Sequence, residues 1–205
     1  MANYDWRDFE DADWLHRFPL DLGFLGIELW REQPHPEMWA AAPWWIERIT
    51  ARQGRVSLPT TPRLFISHKQ SDESEARKVA SWASSAGFEF WLDVLDPNLA
   101  ALERFAGYLT PELIAVATAA IIEMALLNST HVLAVLSQAT AKSRWVPYEY
   151  GRAKDSTVVS HRASSWLLPG VSSSDVAEYV HLGEKFSYDS QVQAWLAREA
   201  QSWPP

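Results

Sequence analysis

Two side chains that could act together on a substrate, Trp145 and Glu149, stand four residues apart late in the sequence. In a helix this spacing places both on one face. An aromatic ring beside a carboxylate suits a flat ring attached to a sugar, above all where positive charge develops at the sugar carbon. Taken alone, such a pair more often reflects core packing beside a solvated acid, so both interpretations stay open.

The other candidate residues stand where predicted strands end or a predicted helix begins. Ser67, His68 and Lys69 close an apolar run, and Asp93 closes the next one. Ser143 stands just before the helix that carries the Trp–Glu pair. Asp93 could instead cap the following turn, and Lys69 could be an ordinary surface charge.

Several kinds of enzyme are excluded by what the sequence lacks. It contains no dinucleotide-binding or phosphate-loop glycine motif, no His-Glu-x-x-His and no Gly-x-Ser-x-Gly. It has no cysteine, and its six histidines never fall at metal-ligand spacing. The net charge of 18 − 26 = −8 argues against a broad nucleic-acid surface. We therefore expect no bound metal, no cofactor and no nucleic-acid partner.

The sequence shows no targeting or membrane segment. Its first residues are acidic, whereas a signal peptide is basic and then apolar. The most apolar stretch, 113–136, is interrupted by Glu123 and by the polar run 128–131, which favours a helix, a turn and a strand over a membrane span. We expect a soluble, cytoplasmic protein with no membrane partner.

Tryptophan is distributed unevenly along the 205 residues, because six of the twelve tryptophans fall in the first 60. The cluster Pro59-Thr60-Thr61-Pro62 indicates a linker or a sharp change of direction. We therefore predict a Trp-rich N-terminal extension over 1–60 and a second domain over 61–205. The extension could be a docking surface, or it could wrap the domain and enlarge its core.

Beyond this boundary, short apolar runs alternate with segments of helical period. A capping box of Asp72 and Glu75 is predicted to begin the first helix, and Gly87 to end it. The alternation predicts an α/β fold with a parallel sheet and helices on both faces, in which the loops after Ile66, Leu92 and Leu136 converge. The predicted strands are 63–67, 88–93 and 130–137, with weaker candidates at 157–159 and 179–182, and the predicted helices are 72–86, 111–127, 145–154 and 190–201.

Four short motifs occur in one order and at one set of spacings: Phe65-Ile66-Ser67-His68, Phe90-Trp91-Leu92-Asp93, Val135-Leu136-Ser137 and Ser143-Arg144-Trp145-Val146-Pro147-Tyr148-Glu149. This ordered set resembles a bacterial Toll/interleukin-1 receptor (TIR) domain. The resemblance runs from Arg63 to the C-terminus and is strongest over 63–154. It implies a flavodoxin-like sheet of about five parallel strands.

The resemblance also implies an activity, since many bacterial TIR domains cleave the nicotinamide–ribose bond of NAD⁺. NAD⁺ is then a substrate, and no cofactor is involved. Glu149 matches the catalytic glutamate of the family and Trp145 its paired tryptophan, and Asp93 with 94–110 matches the loop that gates the site. The substrate-binding positions implied in this way are Phe65, Ser67, His68, Lys69, Asp93, Ser143 and Trp145.

The function expected from this resemblance is that of an NAD⁺ glycohydrolase or ADP-ribosyl cyclase in bacterial antiphage defence. A protein of this kind resembles the Thoeris type, in which a nucleotide signal reaches a separate effector protein, and TIR domains often self-associate to complete their site. Two alternatives remain. One is a non-catalytic TIR adaptor, which commonly lacks the glutamate, and the other is an enzyme similar to nucleoside deoxyribosyltransferases.

Overall fold

The computed structural model describes residues 61–203, apart from 97–98, 101–102, 104–110, 141–144, 155–161, 173 and 175. The Trp-rich segment 1–60, the weak strand candidate 157–159, Ser143 and much of 94–110 lie outside the described residues, and the domain boundary near residue 60 stays a prediction. The described residues divide into two compact units, one formed by 61–92 with 129–203 and the other lying within 93–128.

The first unit contains a five-stranded sheet in which every pairing is parallel. The strand order β2-β1-β3-β4-β5 is one of the two common orders of open α/β sheets. The α/β class and the parallel sheet expected from the sequence are therefore confirmed. The strands are β1 (Arg63–Ser67), β2 (Glu89–Trp91), β3 (His131–Leu136), β4 (Arg162–Leu167) and β5 (Glu184–Phe186).

Helices follow the strands as the alternation predicts. Among the described residues, the α-helices with defined bounds are α1 (Glu73–Ala86), α2 (Pro111–Asn128), α3 (Trp145–Lys154) and α4 (Asp189–Gln201). All but α2 belong to the unit that contains the sheet.

The register of the strands shows which helix covers which face of the sheet. Ser67 of β1 pairs with Ala134 of β3 and bonds to a residue of α3, so this face is the α3 face. Side chains alternate along a strand, so His131 of β3 points to the other face, where its ring meets Trp195 of α4. Trp82 of α1 packs against β4 on that same face. Helices therefore cover both faces, as predicted.

The ends of α1 agree only in part with their sequence signals. Gly87 has φ +93° and ends the helix in a Schellman motif, with Phe88 N–H donating to Ala83 and Gly87 N–H to Ser84. The predicted capping box is absent, because Asp72 makes no side-chain hydrogen bond to the start of the helix. Its carboxylate instead accepts hydrogen bonds from the hydroxyl groups of Ser71 and Ser137.

The C-terminal part of the sheet differs from the sequence expectation. The candidate strand 179–182 is wrong, because Glu178–Leu182 forms a 3-10 helix and β5 begins after Gly183. A Cβ atom built on Gly183 would stand 2.2 Å from the Ala163 carbonyl oxygen, so only glycine lets the chain pass this close to β4. The sequence analysis missed β4 itself, whose buried Ser164 and Ser165 interrupt the apolar pattern.

The second unit contains α2 and a short 3-10 helix, Asp93–Leu95. Pro111 occupies the first turn of α2, where its missing N–H is not needed. Among the side chains of α2 that the structure describes, those of Ile121, Ile122, Ala125 and Leu126 are buried. Among the helices that the structure describes, none is long and apolar enough to cross a membrane.

Candidate functional site

Glu149 lies on the face of α3 that packs against the sheet. Its neighbours on that face, Val146 and Tyr150, are 0% exposed, and the spacing of three and four residues is that of one helical stripe. Glu149 itself is only 5% exposed. A carboxylate in an otherwise apolar stripe loses its hydration on folding, so it requires polar partners inside the protein.

Ser67 supplies one such partner from the carboxyl end of β1. Its hydroxyl donates a hydrogen bond of 2.5 Å to Glu149 Oε2, and Ser67 is 1% exposed. The pair joins residues 82 positions apart and fixes the carboxylate at the edge of the sheet where parallel α/β folds bind ligands. A hydroxyl held against a buried carboxylate restricts its orientation while leaving its charge in place.

This geometry suits the stabilisation of a cation. A carboxylate that is already oriented and partly removed from water interacts strongly with positive charge that develops nearby, and it needs little reorganisation to do so. Carboxylates of this kind stabilise oxocarbenium-like transition states at sugar carbons. Glu149, the predicted catalytic residue, and Ser67, a predicted substrate-binding residue, are thus in direct contact.

Trp145 lies on the surface at the first position of α3. Its side chain is 37% exposed, and its ring packs edge-on against Tyr148 with centroids 5.8 Å apart. The interpretation of the pair as a core tryptophan beside a solvated acid is therefore wrong, because Trp145 lies on the surface and Glu149 is buried. The ring is accessible to a ligand one helical turn before the buried carboxylate.

The loop that follows β1 is tied to the loop that follows β3. Lys69 Nζ donates a hydrogen bond of 3.2 Å to the carbonyl of Ala139, and His68 is 8% exposed. Two of the three loops that were expected to converge, those after β1 and β3, are therefore adjacent. The third loop, after β2, belongs to the other unit.

Asp72 and Ser137 form the centre of this connection, and the sequence analysis assigned neither of them to the site. Ser137 Oγ donates to Asp72 Oδ2 at 2.6 Å, and Asp72 is 8% exposed. Thr140 Oγ1 accepts from the Ser137 N–H at 2.8 Å. The sequence signal that could have indicated this contact is weak. Ser137 follows the end of β3, and Asp72 stands five residues beyond the end of β1.

Phe65 lies in the core beneath Ser67, on the same face of the sheet. Its ring is 0% exposed and stacks on Trp91, with centroids 4.7 Å apart and an angle of 19° between planes. The structure therefore places this predicted substrate-binding residue below the site, where it supports the end of β1.

Two predicted site residues lie outside the described part of the unit that contains the sheet. Asp93 begins the 3-10 helix of the second unit, where its Oδ1 accepts a hydrogen bond of 2.7 Å from the Val94 N–H. This is the local capping role that the sequence left open for it. Ser143 lies outside the described residues.

A separate cleft of about 530 Å³ opens at the carboxyl ends of β3 and β4. Neither Ser67 nor Glu149 lines it. The residues that line it are Leu136, Ser137, Gln138, Thr140, Pro147, Gly170, Val171, Val176, Ala177, Tyr179 and Val180. Burial raises the pKa of Tyr179, which lines the cleft, and also raises the pKa of Tyr150 beside it.

Among the described residues, no group of three His, Asp or Glu side chains is placed to hold a metal ion. Comparison with protein-family models, with curated proteins and with solved structures finds no match to this chain.

Proposed function

We propose that this chain is a TIR-type enzyme that cleaves the nicotinamide–ribose bond of NAD⁺. The observation that carries the proposal is the buried Glu149 carboxylate, oriented by the Ser67 hydroxyl at the carboxyl edge of the sheet. The strand order 2-1-3-4-5, which flavodoxin-like sheets share, and the ordered motifs that resemble TIR domains support it.

In the proposed reaction, the bond between ribose C1′ and the nicotinamide nitrogen breaks. Its electron pair goes to the nitrogen, so the pyridinium leaves as neutral nicotinamide and the ribose becomes an oxocarbenium-like cation. Glu149 stabilises this cation, which exists only in and after the transition state. Water then attacks C1′ and loses a proton, which gives ADP-ribose. Alternatively, a nucleophilic atom of the same molecule attacks C1′, which gives an isomer of cyclic ADP-ribose.

The neighbouring residues have subordinate roles in this proposal. Ser67 holds the Glu149 carboxylate in one orientation. The exposed Trp145 ring provides a flat surface for a ring of the substrate, and Lys69 is a cation on the loop next to this edge, suited to a phosphate.

The biological setting also comes from the resemblance. The product would act as a nucleotide signal in bacterial antiphage defence and would reach a separate effector protein. Self-association of the chain would complete the site, so turnover per molecule would increase with protein concentration.

The test is incubation of the purified full chain with NAD⁺, followed by mass spectrometry of the products over a range of protein concentrations. We expect free nicotinamide together with ADP-ribose, or with a cyclic ADP-ribose that is lighter by the mass of one water, and a specific activity that rises with concentration. Folded protein that releases no nicotinamide at any concentration contradicts the proposal and favours an adaptor. Release of a base from a deoxynucleoside in place of NAD⁺ favours the deoxyribosyltransferase-like alternative.

A further inference from the structure

The cleft at the ends of β3 and β4 has the size and the position of a small-molecule site. Its volume of about 530 Å³ falls within the range of about 300–1,000 Å³ that is usual for such sites. It opens at the carboxyl ends of parallel strands, where α/β sheets bind their ligands.

The walls of this cleft are held in place by hydrogen bonds that the lining residues make with one another and with Asp72 behind them. Gln138 Nε2 donates to the Gly170 carbonyl at 3.1 Å and so joins the loops after β3 and β4. Ser137 is fixed by its bond to Asp72 on the far side of the wall. Gly170 has φ +89°, a backbone conformation that suits glycine and shapes this turn. The cleft is therefore formed before any ligand arrives.

The chemistry of the walls selects for an uncharged ligand. None of the described residues that line the cleft carries a formal charge at neutral pH. Behind the walls, Asp72 bonds to Ser137 and Lys69 bonds to the Ala139 carbonyl, so one charge of each sign lies there and neither sign of ligand charge is favoured. The half-buried ring of Tyr179 and the side chains of Val171 and Pro147 provide apolar surface, while the Gln138 amide and the Thr140 hydroxyl provide polar atoms at the same opening.

We propose that this cleft binds an uncharged, planar heteroaromatic ligand of nucleoside size. The ring of the ligand packs against Tyr179 and the apolar wall, and its hydrogen-bonding edge meets the Gln138 amide. The site is separate from the Ser67–Glu149 pair, and the inference holds whether or not the chain cleaves NAD⁺.

The experiment is calorimetric titration of the full chain with adenosine, guanosine and cytidine in turn, and then with the 5′-monophosphate of the tightest binder. We expect saturable binding of at least one nucleoside to a single site. Its monophosphate should bind about tenfold more weakly, because its charge loses hydration on entering the cleft and meets no cation among the described residues that line it. Sucrose, which is uncharged but not planar, should not bind.

Two variants locate the binding. Ala177→Trp places a large ring at the cleft and should abolish it, whereas the matched control Ala194→Trp, at an exposed position of α4, should leave it unchanged. If Ala177→Trp does not fold, Gln138→Leu removes the amide at an exposed position and should weaken binding severalfold.

Three results overturn the inference: no saturable binding of any of the three nucleosides, binding that survives in folded Ala177→Trp, or a monophosphate that binds as tightly as its nucleoside. Glu149→Gln separates the two proposals, because it should keep nucleoside binding while losing NAD⁺ cleavage. Loss of nucleoside binding in that variant would place the ligand at Glu149 and also overturn the inference.

Discussion

Two buried glutamates, Glu149 and Glu199, lie on opposite faces of the same sheet and are each 5% exposed. Glu149 on α3 accepts a hydrogen bond from the neutral hydroxyl of Ser67. Glu199 on α4 lies 3.0 Å from an Arg198 nitrogen and 3.5 Å from His131 Nε2. Two glutamates of equal burial thus have different neighbours, a serine hydroxyl for Glu149 and nitrogen atoms of arginine and histidine for Glu199.

The surroundings of Glu199 belong to a packed core. His131 is 0% exposed, and three aromatic rings, those of Phe88, Trp195 and Trp203, meet its ring edge-on at 5.1 to 5.8 Å. The Arg198 guanidinium lies against Glu199 at the edge of this packed region, so we expect the main effect of Glu199 to be on stability. Glu149 instead accepts from a hydroxyl at the carboxyl edge of the sheet, where parallel α/β folds bind ligands, so we expect its main effect to be on a ligand.

The strongest test of this comparison removes each negative charge in turn. Glu149→Gln keeps the size of the side chain but should lower NAD⁺ turnover by about 10²–10³, because the ribose cation loses its stabiliser. Glu199→Gln is the matched control and should keep the turnover per folded molecule. Nicotinamide release, normalised to the folded fraction from circular dichroism, measures both. Equal losses in the two variants would remove the functional distinction between the two faces.

Two tryptophans provide the second test. Trp195, which is 2% exposed, packs against His131 and Phe186, so Trp195→Ala should lower the free energy of unfolding by about 3–5 kcal/mol. Trp145→Ala removes a ring that is 37% exposed and should lower it by less than about 1 kcal/mol while reducing NAD⁺ turnover. Urea unfolding and the nicotinamide assay, run on both variants, measure these effects. A stable, fully active Trp145→Ala would contradict the role proposed for its ring.

Most helices and strands of the described residues could be predicted from the sequence. The helices α1, α2, α3 and α4 were all predicted to within about one residue at each end. α1 shows apolar residues at helical spacing and a glycine stop, whereas α2 is a long apolar run that begins at a proline. β1 and β3 are continuous apolar runs, and both were predicted. β4 was missed because small polar serines, which fit under packed helices, interrupt its pattern.

The site could be predicted only in its local parts. Spacing places Trp145 and Glu149 near each other, and the ordered motifs add Ser67. Nothing in the sequence shows that Glu149 would be buried against Ser67, or that Asp72 would bond to Ser137 across 65 residues in place of capping α1. Such contacts depend on which strands become neighbours, and the order of strands in a sheet is a property of the whole chain.

The third test concerns the Ser67–Glu149 contact alone. Ser67→Ala leaves the buried carboxylate without this donor and should cost about 1–3 kcal/mol of stability. It should also reduce NAD⁺ turnover, because Glu149 is no longer held in one orientation. The matched control is Ser85→Ala, which removes an exposed hydroxyl bonded to a helix carbonyl and should change stability by less than about 0.5 kcal/mol. Wild-type stability and turnover in Ser67→Ala would show that the contact contributes nothing.

The smallest expected effect is a pH dependence on the α3 face. Burial raises the pKa of Tyr150 above its ordinary value of 10.0, so the folded protein keeps a proton that the unfolded chain releases. The stability from this group is therefore complete below pH 10 and declines as the pH rises above it. Urea unfolding at pH 8 and pH 10.5 should show a smaller loss for Tyr150→Phe than for wild type, whereas Tyr188→Phe, at an exposed position, should behave as wild type.

The close approach at Gly183 has a consequence for how this sequence can vary. Any side chain there meets the Ala163 carbonyl and the Tyr150 hydroxyl at 2.2 Å, and neither β4 nor the buried tyrosine can retreat far without losing its own contacts. A shift of the chain at Gly183 would move β5 away from β4. It would also move Phe186 of β5, whose ring packs on Trp195. In a library of all single substitutions, position 183 should accept glycine alone, while the exposed neighbour Leu182 should accept most residues.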